Sequence, residues 1–201
     1  MTIPASTPII VAYGDGESPT IIEAALYILR EAGAPITLET IEIGSRIYAM
    51  QHLLGILPSS LKTLEKNRIL LKGRTAQPED PGYRDVGKVI KETFQLEVSH
   101  ATRLTLAEHS AIAHINAHFA MFEPEEYSLP SAVLACIMML NHIGSNAVAQ
   151  NLANALEITL AEGVPAPTLK DRWLAPKISP VMRFAHVLST KLTAAYSKTD
   201  S

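Results

Sequence analysis

The segment Ile9–Ile22, IIVAYGDGESPTII, constrains the fold more than any other part of the chain. The run Ile9–Tyr13 has the length and branching of a buried strand, and the Gly-Asp-Gly that follows breaks it. Ser18 and Pro19 are typical of a helix start, since serine caps helices and proline in the first turn loses no hydrogen bond. A strand that passes through a glycine turn into a helix is how α/β proteins build ligand pockets, because free N–H groups converge there. We therefore predict an α/β fold with Ser18 as the helix cap.

The bulk properties of the chain exclude several classes of protein. Its 201 residues suffice for one buried core, so we predict a single domain over residues 1–201. A net charge of −3 does not fit a nucleic-acid partner. The lone Cys136 lies in an apolar run and excludes a disulfide framework. The N-terminus lacks the pattern of a signal peptide, and the longest apolar run, Ala132–Leu140, is too short to span a bilayer. A soluble, cytoplasmic protein with no membrane partner is expected.

The order of predicted elements favours a mixed sheet flanked by helices. Ile36–Ile43 alternates apolar and polar residues, so this strand completes a parallel βαβ unit with the first strand and helix. The run Pro130–Ile143 is apolar on nearly every face and predicts a buried central helix. The segment Glu97–Asn116 shows no firm periodicity. The other predicted elements are strands at Arg68–Lys72 and His118–Glu123, and helices at Ser45–His52, from Pro58, from 84 to 96, at Asn146–Glu162 and at Pro180–Tyr196.

Several of these segments resemble the isocitrate/isopropylmalate dehydrogenase family, and isocitrate dehydrogenase in particular. The resemblance rests on VAYGDGESPTIIEAALYILREAGAPITLETIEIG, on RILLKG with GYRDVGKVIKET, and on HFAMFE, SAVLACIMMLNHIG and NLANALEITLAEG. These segments occupy about residues 8–44, 68–96 and 118–163, in the order found in that family. The resemblance implies a reduced form of the family's large domain, a mixed sheet flanked by helices.

The same resemblance implies that a whole block of the family is missing. Members of the family are longer, and the block between the equivalents of Leu96 and His118 would hold the second domain. That block would supply the catalytic tyrosine and lysine and the aspartates that bind Mg²⁺ or Mn²⁺. Residues 97–117 stand in its place and are too few to supply these groups. We therefore expect no metal site.

The segments that are retained also differ from the family at its functional positions. The substrate-binding serine and asparagine align with Asp85 and Gly87, and the first substrate arginine aligns with Lys91. The cofactor loop HGSAP is absent, because HFAMFE runs directly into PEEYSLP. Oxidative decarboxylation needs a hydride acceptor, a divalent cation and an acid–base pair. The resemblance thus implies a truncated homologue without dehydrogenase activity and without a cofactor.

Some of the remaining polar residues are candidates for a remodelled pocket. Histidine beside glutamate suits proton transfer near neutral pH, and the segment 97–117 is expected to meet the turn at 15–17 over the sheet. The candidate catalytic residues are Glu17, His100, Glu108 and His109. The candidate ligand-binding residues are Asp15, Glu17, Tyr83, Lys91 and Glu123. Five of them have a structural alternative: a turn residue for Asp15, a packing residue for Tyr83, and solvated loop residues for Glu108, His100 and His109.

Three functions are compatible with a retained fold that lacks the family's functional groups, and the sequence disfavours only one of them. The chain is a non-catalytic module that binds a small molecule or a protein partner, or it is a repurposed, cofactor-independent enzyme that uses acid–base residues. A dehydrogenase subunit completed by a full-length partner is disfavoured, because loop, metal ligands and arginines would all need replacement in trans. A homo-oligomer, specifically a dimer, is expected, because loss of the second domain exposes apolar surface on helices.

Overall fold

A computed structural model describes residues 6–77, 79–103, 109–162 and 180–199. The strands are β1 (Thr7–Ala12), β2 (Ile36–Ile41), β3 (Ile69–Lys72), β4 (Glu97–Arg103), β5 (Ser110–Ile115) and β6 (Ala120–Pro124). The helices are α1 (Ser18–Glu31), α2 (Ser45–Ala49), α3 (Pro58–Asn67), α4 (Val86–Phe94), α5 (Leu129–His142), α6 (Asn146–Ala161) and α7 (Pro180–Thr199).

The six strands form one mixed sheet in the order β2-β1-β3-β6-β5-β4. Strands β2, β1, β3 and β6 are parallel to one another. Strand β5 is antiparallel to β6, and β4 is antiparallel to β5. The predicted βαβ unit is present, with Thr7 opposite Ile36 in parallel register. Strands β4 and β5 occupy most of the segment that shows no sequence periodicity, and the register of β4 shifts between Val98 and His100. The predicted fold class, a mixed sheet flanked by helices, is confirmed.

Each face of the sheet carries its own core, and α5 is the centre of the larger one. Val11, Leu71 and Phe122 pack with residues of α1, α5, α6 and α7. Their strand neighbours Leu70 and Met121 point the other way and pack with residues of α3 and α4. This alternation is what a period of two residues requires of strands that are buried on both faces. All residues of α5 from 129 to 140 are buried, which confirms the predicted central helix.

The glycine turn and the start of α1 differ from the sequence-based prediction in one detail. Glu17 is the N-cap residue of α1, and it makes no capping hydrogen bond through its side chain. The prediction of Ser18 as the cap was wrong, since Ser18 lies inside the first turn and is only 2% exposed. Its hydroxyl packs against Gly73, where an added Cβ would lie 2.3 Å from Ser18 Oγ. The absence of a side chain at Gly73 thus allows α1 to approach the segment that follows β3.

None of the described helices has the combination of length and hydropathy needed to span a membrane. The cytoplasmic location stays a prediction.

Candidate functional site

The topology opens a crevice at the carboxyl end of β3. The connections after β1 and β6 lead to α1 and α5 on one face, whereas the connection after β3 leads to α4 on the other face. Neighbouring parallel strands whose connections leave in opposite directions create a ligand-binding crevice at their carboxyl ends. A cavity of about 210 Å³ lies there, and we call it the crevice. Its lining residues are Lys72, Arg74, Thr75, Gln77, Asp85, Ile112, Glu123, Pro124 and Glu125.

A buried ion pair forms one wall of the crevice. Lys72 Nζ lies 2.8 Å from Glu123 Oε2, and the two side chains are 4% and 17% exposed. They are adjacent because Leu71 pairs with Phe122 in parallel register, which brings the next residues of both strands side by side. His114 Nε2 lies 2.9 Å from the other oxygen, Glu123 Oε1. Although burial favours the neutral acid, the Lys72 charge and these hydrogen bonds hold the pKa of Glu123 well below its usual range.

Unpaired buried polar atoms lie beside the ion pair. Among the described residues, four buried side-chain atoms have no hydrogen-bond partner: Arg74 Nε, Thr75 Oγ1, Tyr83 Oη and His114 Nδ1. The hydroxyls of Thr75 and Tyr83 are neighbours, but their geometry does not make a hydrogen bond. The guanidinium of Arg74 is held in place by a bond from Nη1 to the carbonyl oxygen of Glu125 and by the ring of Tyr127, 5.0 Å away. Because an unpaired buried polar group costs about 1–3 kcal/mol, this arrangement is typical of a site that receives a polar molecule.

Tyr83, a predicted ligand-binding residue, is a protonated phenol that neighbours Thr75 and lies outside the crevice lining. Burial, together with the charges of Asp15 and Asp85, raises the pKa of Tyr83 to about 12. Its ring stands edge-on to that of Tyr48, with 5.0 Å between the centroids. At neutral pH the hydroxyl is therefore a hydrogen-bond donor and acceptor and does not act as a base.

Asp15, another predicted ligand-binding residue, joins three segments of backbone. Its Oδ2 accepts from the N–H groups of Ser45 and Ala76 at 3.0 and 2.9 Å. Its Oδ1 accepts from the Ser45 hydroxyl at 2.8 Å. These bonds tie the glycine turn after β1 to the start of α2 and to the segment after β3, so Asp15 fixes the backbone that frames the crevice.

Lys91 and Glu17 occupy different parts of this region. The positive charge of Lys91, on α4, contributes to the low pKa of Glu123, which places these two predicted residues on the same side of the sheet. Glu17 is half-buried at the N-cap of α1, and its carbonyl oxygen accepts from the N–H of Ile21 at 3.3 Å. The role of Glu17 as a binding or catalytic residue stays a prediction.

The histidines and the glutamate predicted as catalytic residues between 97 and 117 lie apart from the crevice lining or outside the described side chains. Nδ1 of His109 lies 3.1 Å from the hydroxyl of Ser128, the N-cap residue of α5, and burial lowers the pKa of this histidine. His100 belongs to β4, where the structure describes the backbone alone. Glu108 lies outside the described residues. The structure therefore connects His109 to the start of α5.

Four residues of this region are not among the candidates predicted from the sequence: Lys72, Arg74, Thr75 and His114. The only available signal was Lys72, a lysine that ends the apolar strand RILLK. Its position beside Glu123 depends on the pairing of strands that lie 51 residues apart in sequence. His114 is buried in β5, and no pattern in the sequence distinguishes it from His118, which is exposed before β6.

A larger cavity of about 480 Å³ lies between α1 and β2. Tyr13, Tyr27, Arg30 and Leu38 contribute to its lining. None of the unpaired buried polar atoms found in the described part of the chain belongs to a residue that lines it. The crevice at β3 is therefore the better candidate for a functional site.

Comparison with known proteins identifies relatives of the chain. No family model matches the sequence. The isocitrate dehydrogenase (NADP) of Rickettsia prowazekii is 36% identical over 129 residues, which are 64% of this chain and 27% of that protein. The isocitrate dehydrogenase (NADP) of Thermus thermophilus is 29% identical over 87 residues, 43% of this chain and 18% of that protein. The chain is a homologue of the isocitrate dehydrogenases. It spans about a quarter of the length of the Rickettsia relatives that it matches.

Solved structures show that this homologue has the fold of the same group. The structure of isocitrate dehydrogenase from Methylococcus capsulatus has a TM-score of 0.72 at 14% identity, and the alignment covers 92% of this chain and 99% of that chain. A beta-decarboxylating dehydrogenase from Thermococcus kodakarensis has a TM-score of 0.73 at 11% identity, with 96% and 98% covered. The resemblance to the isocitrate/isopropylmalate dehydrogenases is thus confirmed for fold and ancestry.

The described residues of this homologue do not fit a divalent cation as resident cofactor. The described part of the chain contains no group of three histidine, cysteine, aspartate or glutamate side chains arranged to hold a metal ion. In the crevice, both oxygens of Glu123 are already bonded, one to Lys72 and the other to His114. Asp85 Oδ1 accepts from the N–H of Lys88 at 2.7 Å and caps α4.

The start of α5 does not fit a dinucleotide phosphate. Pro130 has no N–H, and the N–H of Ser131 donates to the Ser128 hydroxyl at 3.2 Å. Glu126 accepts hydrogen bonds from the N–H and hydroxyl of Ser110 and from the hydroxyl of Ser131. A carboxylate thus occupies the first turn of α5, where a phosphate would need vacant N–H groups and positive charge.

Proposed function

We propose that this isocitrate dehydrogenase homologue has lost dehydrogenase activity and binds a small polar molecule in the crevice. The observation that carries the proposal is that Arg74 and Thr75, two residues that line a cavity of about 210 Å³, each hold a buried polar atom without a partner, Arg74 Nε and Thr75 Oγ1. A hydrogen-bonding ligand relieves the desolvation cost of both groups, and their fixed positions favour one orientation of that ligand.

The charges around the crevice support the loss of the ancestral activity. The resemblance to the family implies that its substrate-binding serine and first arginine correspond to Asp85 and Lys91. A lysine is a point charge and does not reproduce the two parallel hydrogen bonds of an arginine to a carboxylate. Asp85 adds negative charge to the lining, which disfavours a substrate with three carboxylates.

A repurposed enzyme is the second candidate, and the contiguous chain Lys72–Glu123–His114 is the observation that favours it. Proton transfer is most efficient when the pKa of the catalytic group lies near the working pH. The pKa of Glu123 is held far below neutrality, and the pKa of Tyr83 is raised to about 12. Neither group is suited to exchange protons at neutral pH, so binding without chemistry is the better-supported function.

Thermal unfolding in the presence of ligands tests the loss of activity. We expect no change in Tm when NADP, isocitrate and Mg²⁺ are added together, because a compound stabilises a protein only when it binds the folded state. A full-length isocitrate dehydrogenase serves as the positive control. A saturable increase in the Tm of this chain with the mixture, or reduction of NADP, would overturn the loss of dehydrogenase activity.

A second measurement tests binding in the crevice. We expect at least one member of a panel of organic acids, amino acids, amides and polyols to raise the Tm of the wild type. The Thr75→Val variant removes the unpaired hydroxyl at nearly constant volume and should lose this increase. Thr159→Val is the matched control, because the Thr159 hydroxyl bonds to Ala155 O within α6. Equal responses of Thr75→Val and wild type, or no response to any compound, would contradict the proposal.

A further inference from the structure

We infer that the ligand of the crevice is a zwitterion of amino-acid size, whose carboxylate binds Arg74 and Thr75 and whose ammonium group faces Asp85 and Glu125. This inference rests on the proposed function and adds the chemical class of the ligand. It uses groups of the crevice that the ion pair of Lys72 and Glu123 leaves available.

The carboxylate end is defined by two adjacent residues after β3. Arg74 Nε is a donor only, and Thr75 Oγ1 is both a donor and an acceptor. The guanidinium of Arg74 is fixed by the carbonyl of Glu125 and the ring of Tyr127, so Nε keeps its direction without a ligand. A carboxylate accepts from an arginine N–H and from a hydroxyl at the same time, and such charge-assisted bonds are about twice as strong as neutral ones.

The ammonium end follows from the balance of charge in the lining. The residues that line the crevice include three acids, Asp85, Glu123 and Glu125, and two bases, Lys72 and Arg74, with Lys91 outside the lining. Arrival of a ligand that carries only a carboxylate would leave the crevice with a still larger negative excess. A positive group on the same ligand offsets this excess, and Asp85 and Glu125 are the acids that do not belong to the Lys72–Glu123–His114 chain.

The size and the remaining walls limit the ligand to a small molecule. The volume of the crevice, about 210 Å³, is that of a site for a small molecule. Ile112 and Pro124 provide an apolar part of the lining. A free amino acid with a short side chain satisfies the volume, the two charges and this apolar wall.

Isothermal titration calorimetry of the complete chain with each of the twenty free amino acids tests the inference. We expect at least one amino acid to bind saturably. Its amide, which lacks the carboxylate, and its deaminated acid, which lacks the ammonium group, should each bind about tenfold or more weakly. Thr75→Val should weaken binding of the amino acid by about tenfold, and Asp85→Asn by a similar factor. Asp85→Asn keeps the cap of α4, since asparagine caps helices about as well as aspartate.

The outcomes separate this inference from the proposed function. If the deaminated acid binds as tightly as the amino acid, and Thr75→Val weakens both, the zwitterion assignment is wrong while the crevice remains a small-molecule site. If none of the twenty amino acids binds, the inference is also wrong, whatever the wider panel shows. Unchanged affinity in Thr75→Val, with Thr159→Val as the matched control, would place the ligand elsewhere and contradict both proposals.

Discussion

At the scale of single residues, Glu123 shows how this chain holds a charge in its interior. One carboxylate oxygen is bonded to Lys72 and the other to His114, so the buried anion has partners on both sides. A buried charge is tolerated when it is paired and hydrogen-bonded, whereas removal of one partner leaves an uncompensated ion. Glu123 is therefore part of the architecture of the crevice wall as well as a neighbour of any ligand.

The replacement Lys72→Met should reduce the stability of the fold in a pH-dependent way. Because the pKa of Glu123 is lower in the folded state than the usual 4.5, its carboxylate stabilises the fold above that pH. This contribution is lost progressively as the pH falls below about 4.5 towards the folded-state pKa. Lys72→Met should therefore lower the free energy of unfolding by about 3 kcal/mol at neutral pH. The difference from wild type should shrink as the solution is acidified.

Urea unfolding over a series of pH values measures this effect. Arg46→Met is the control, because Arg46 and Glu42 form an exposed ion pair at 3.1 Å, for which at most about 1 kcal/mol is expected. A loss of stability in Lys72→Met that does not change with pH would show that the buried pair does not determine the titration of Glu123.

At the scale of elements, the turn between β1 and α1 is fixed by backbone contacts that leave no room for a side chain at Gly14. Gly14 has a φ of +77°, and a Cβ at this position would lie 2.1 Å from the carbonyl oxygen of Arg74. The N–H of Asp15 donates to the same carbonyl at 2.9 Å. The turn thus depends on close approach of two backbones, and it positions the segment that carries Arg74 and Thr75.

The replacement Gly14→Ala should destabilise the protein more than the same change at Gly33. Both glycines have positive φ, but the space around Gly33 is open within 4 Å of an added Cβ. We expect about 1 kcal/mol for Gly33→Ala, from the backbone conformation alone, and clearly more for Gly14→Ala, which adds a backbone clash. Differential scanning calorimetry of both variants checks the order. Equal shifts in Tm would mean that the close contact between the two backbones is unimportant.

The sequence predicts those elements whose burial pattern is regular and misses those whose pattern is not. Strand β1 and helix α5 were predictable, because β-branched or apolar runs of their lengths are stable only when they are buried in the core of such a fold. Strands β4 and β5 were not, because small and polar residues interrupt the alternation and β4 contains a register shift. The crevice was predictable in part. Tyr83 and Glu123 lie in resembling segments, whereas Lys72 acquires its role only from the pairing of distant strands.

At the scale of the whole molecule, the exposed apolar side chains of the described residues are concentrated just after α2. Helix α5 is covered within the single chain, by α1, α6, β5 and β6 among others. Among the described residues, the exposed large apolar side chains are Leu38, Met50, Leu53, Leu54 and Ile158. Three of them lie in the five residues that follow α2. This cluster, Met50, Leu53 and Leu54, is the best candidate for a contact between two copies.

We propose that the chain forms a homodimer through the cluster of Met50, Leu53 and Leu54. Light scattering across micromolar concentrations should give a mass of two chains for the wild type. Leu53→Asp should shift the mass towards one chain, because a charge at the centre of an apolar contact must be desolvated. Ile158→Asp, on α6, is the matched control and should leave the dimer intact. A monomeric wild type would contradict the proposal.

The segment between α4 and β6 changes the extent of the whole sheet. We propose, as the resemblance to the dehydrogenases implies, that residues 97–117 stand in place of the family's second domain. In the described residues, this segment contributes β4 and β5, which extend the sheet beyond β6. The edge of the parallel sheet is thereby paired with an antiparallel strand and is not left open to other chains.

The position of Cys136 determines how this protein reacts with alkylating agents and oxidants. Its thiol lies in the middle of α5, is 1% exposed, and has its pKa raised by burial to about 12. Alkylating agents and oxidants react with the thiolate, which is scarce at this site in the folded state. The sulfur is therefore modified only when α5 separates from its neighbours. Since this is the sole cysteine of the chain, a modified molecule is one whose core has opened at least once.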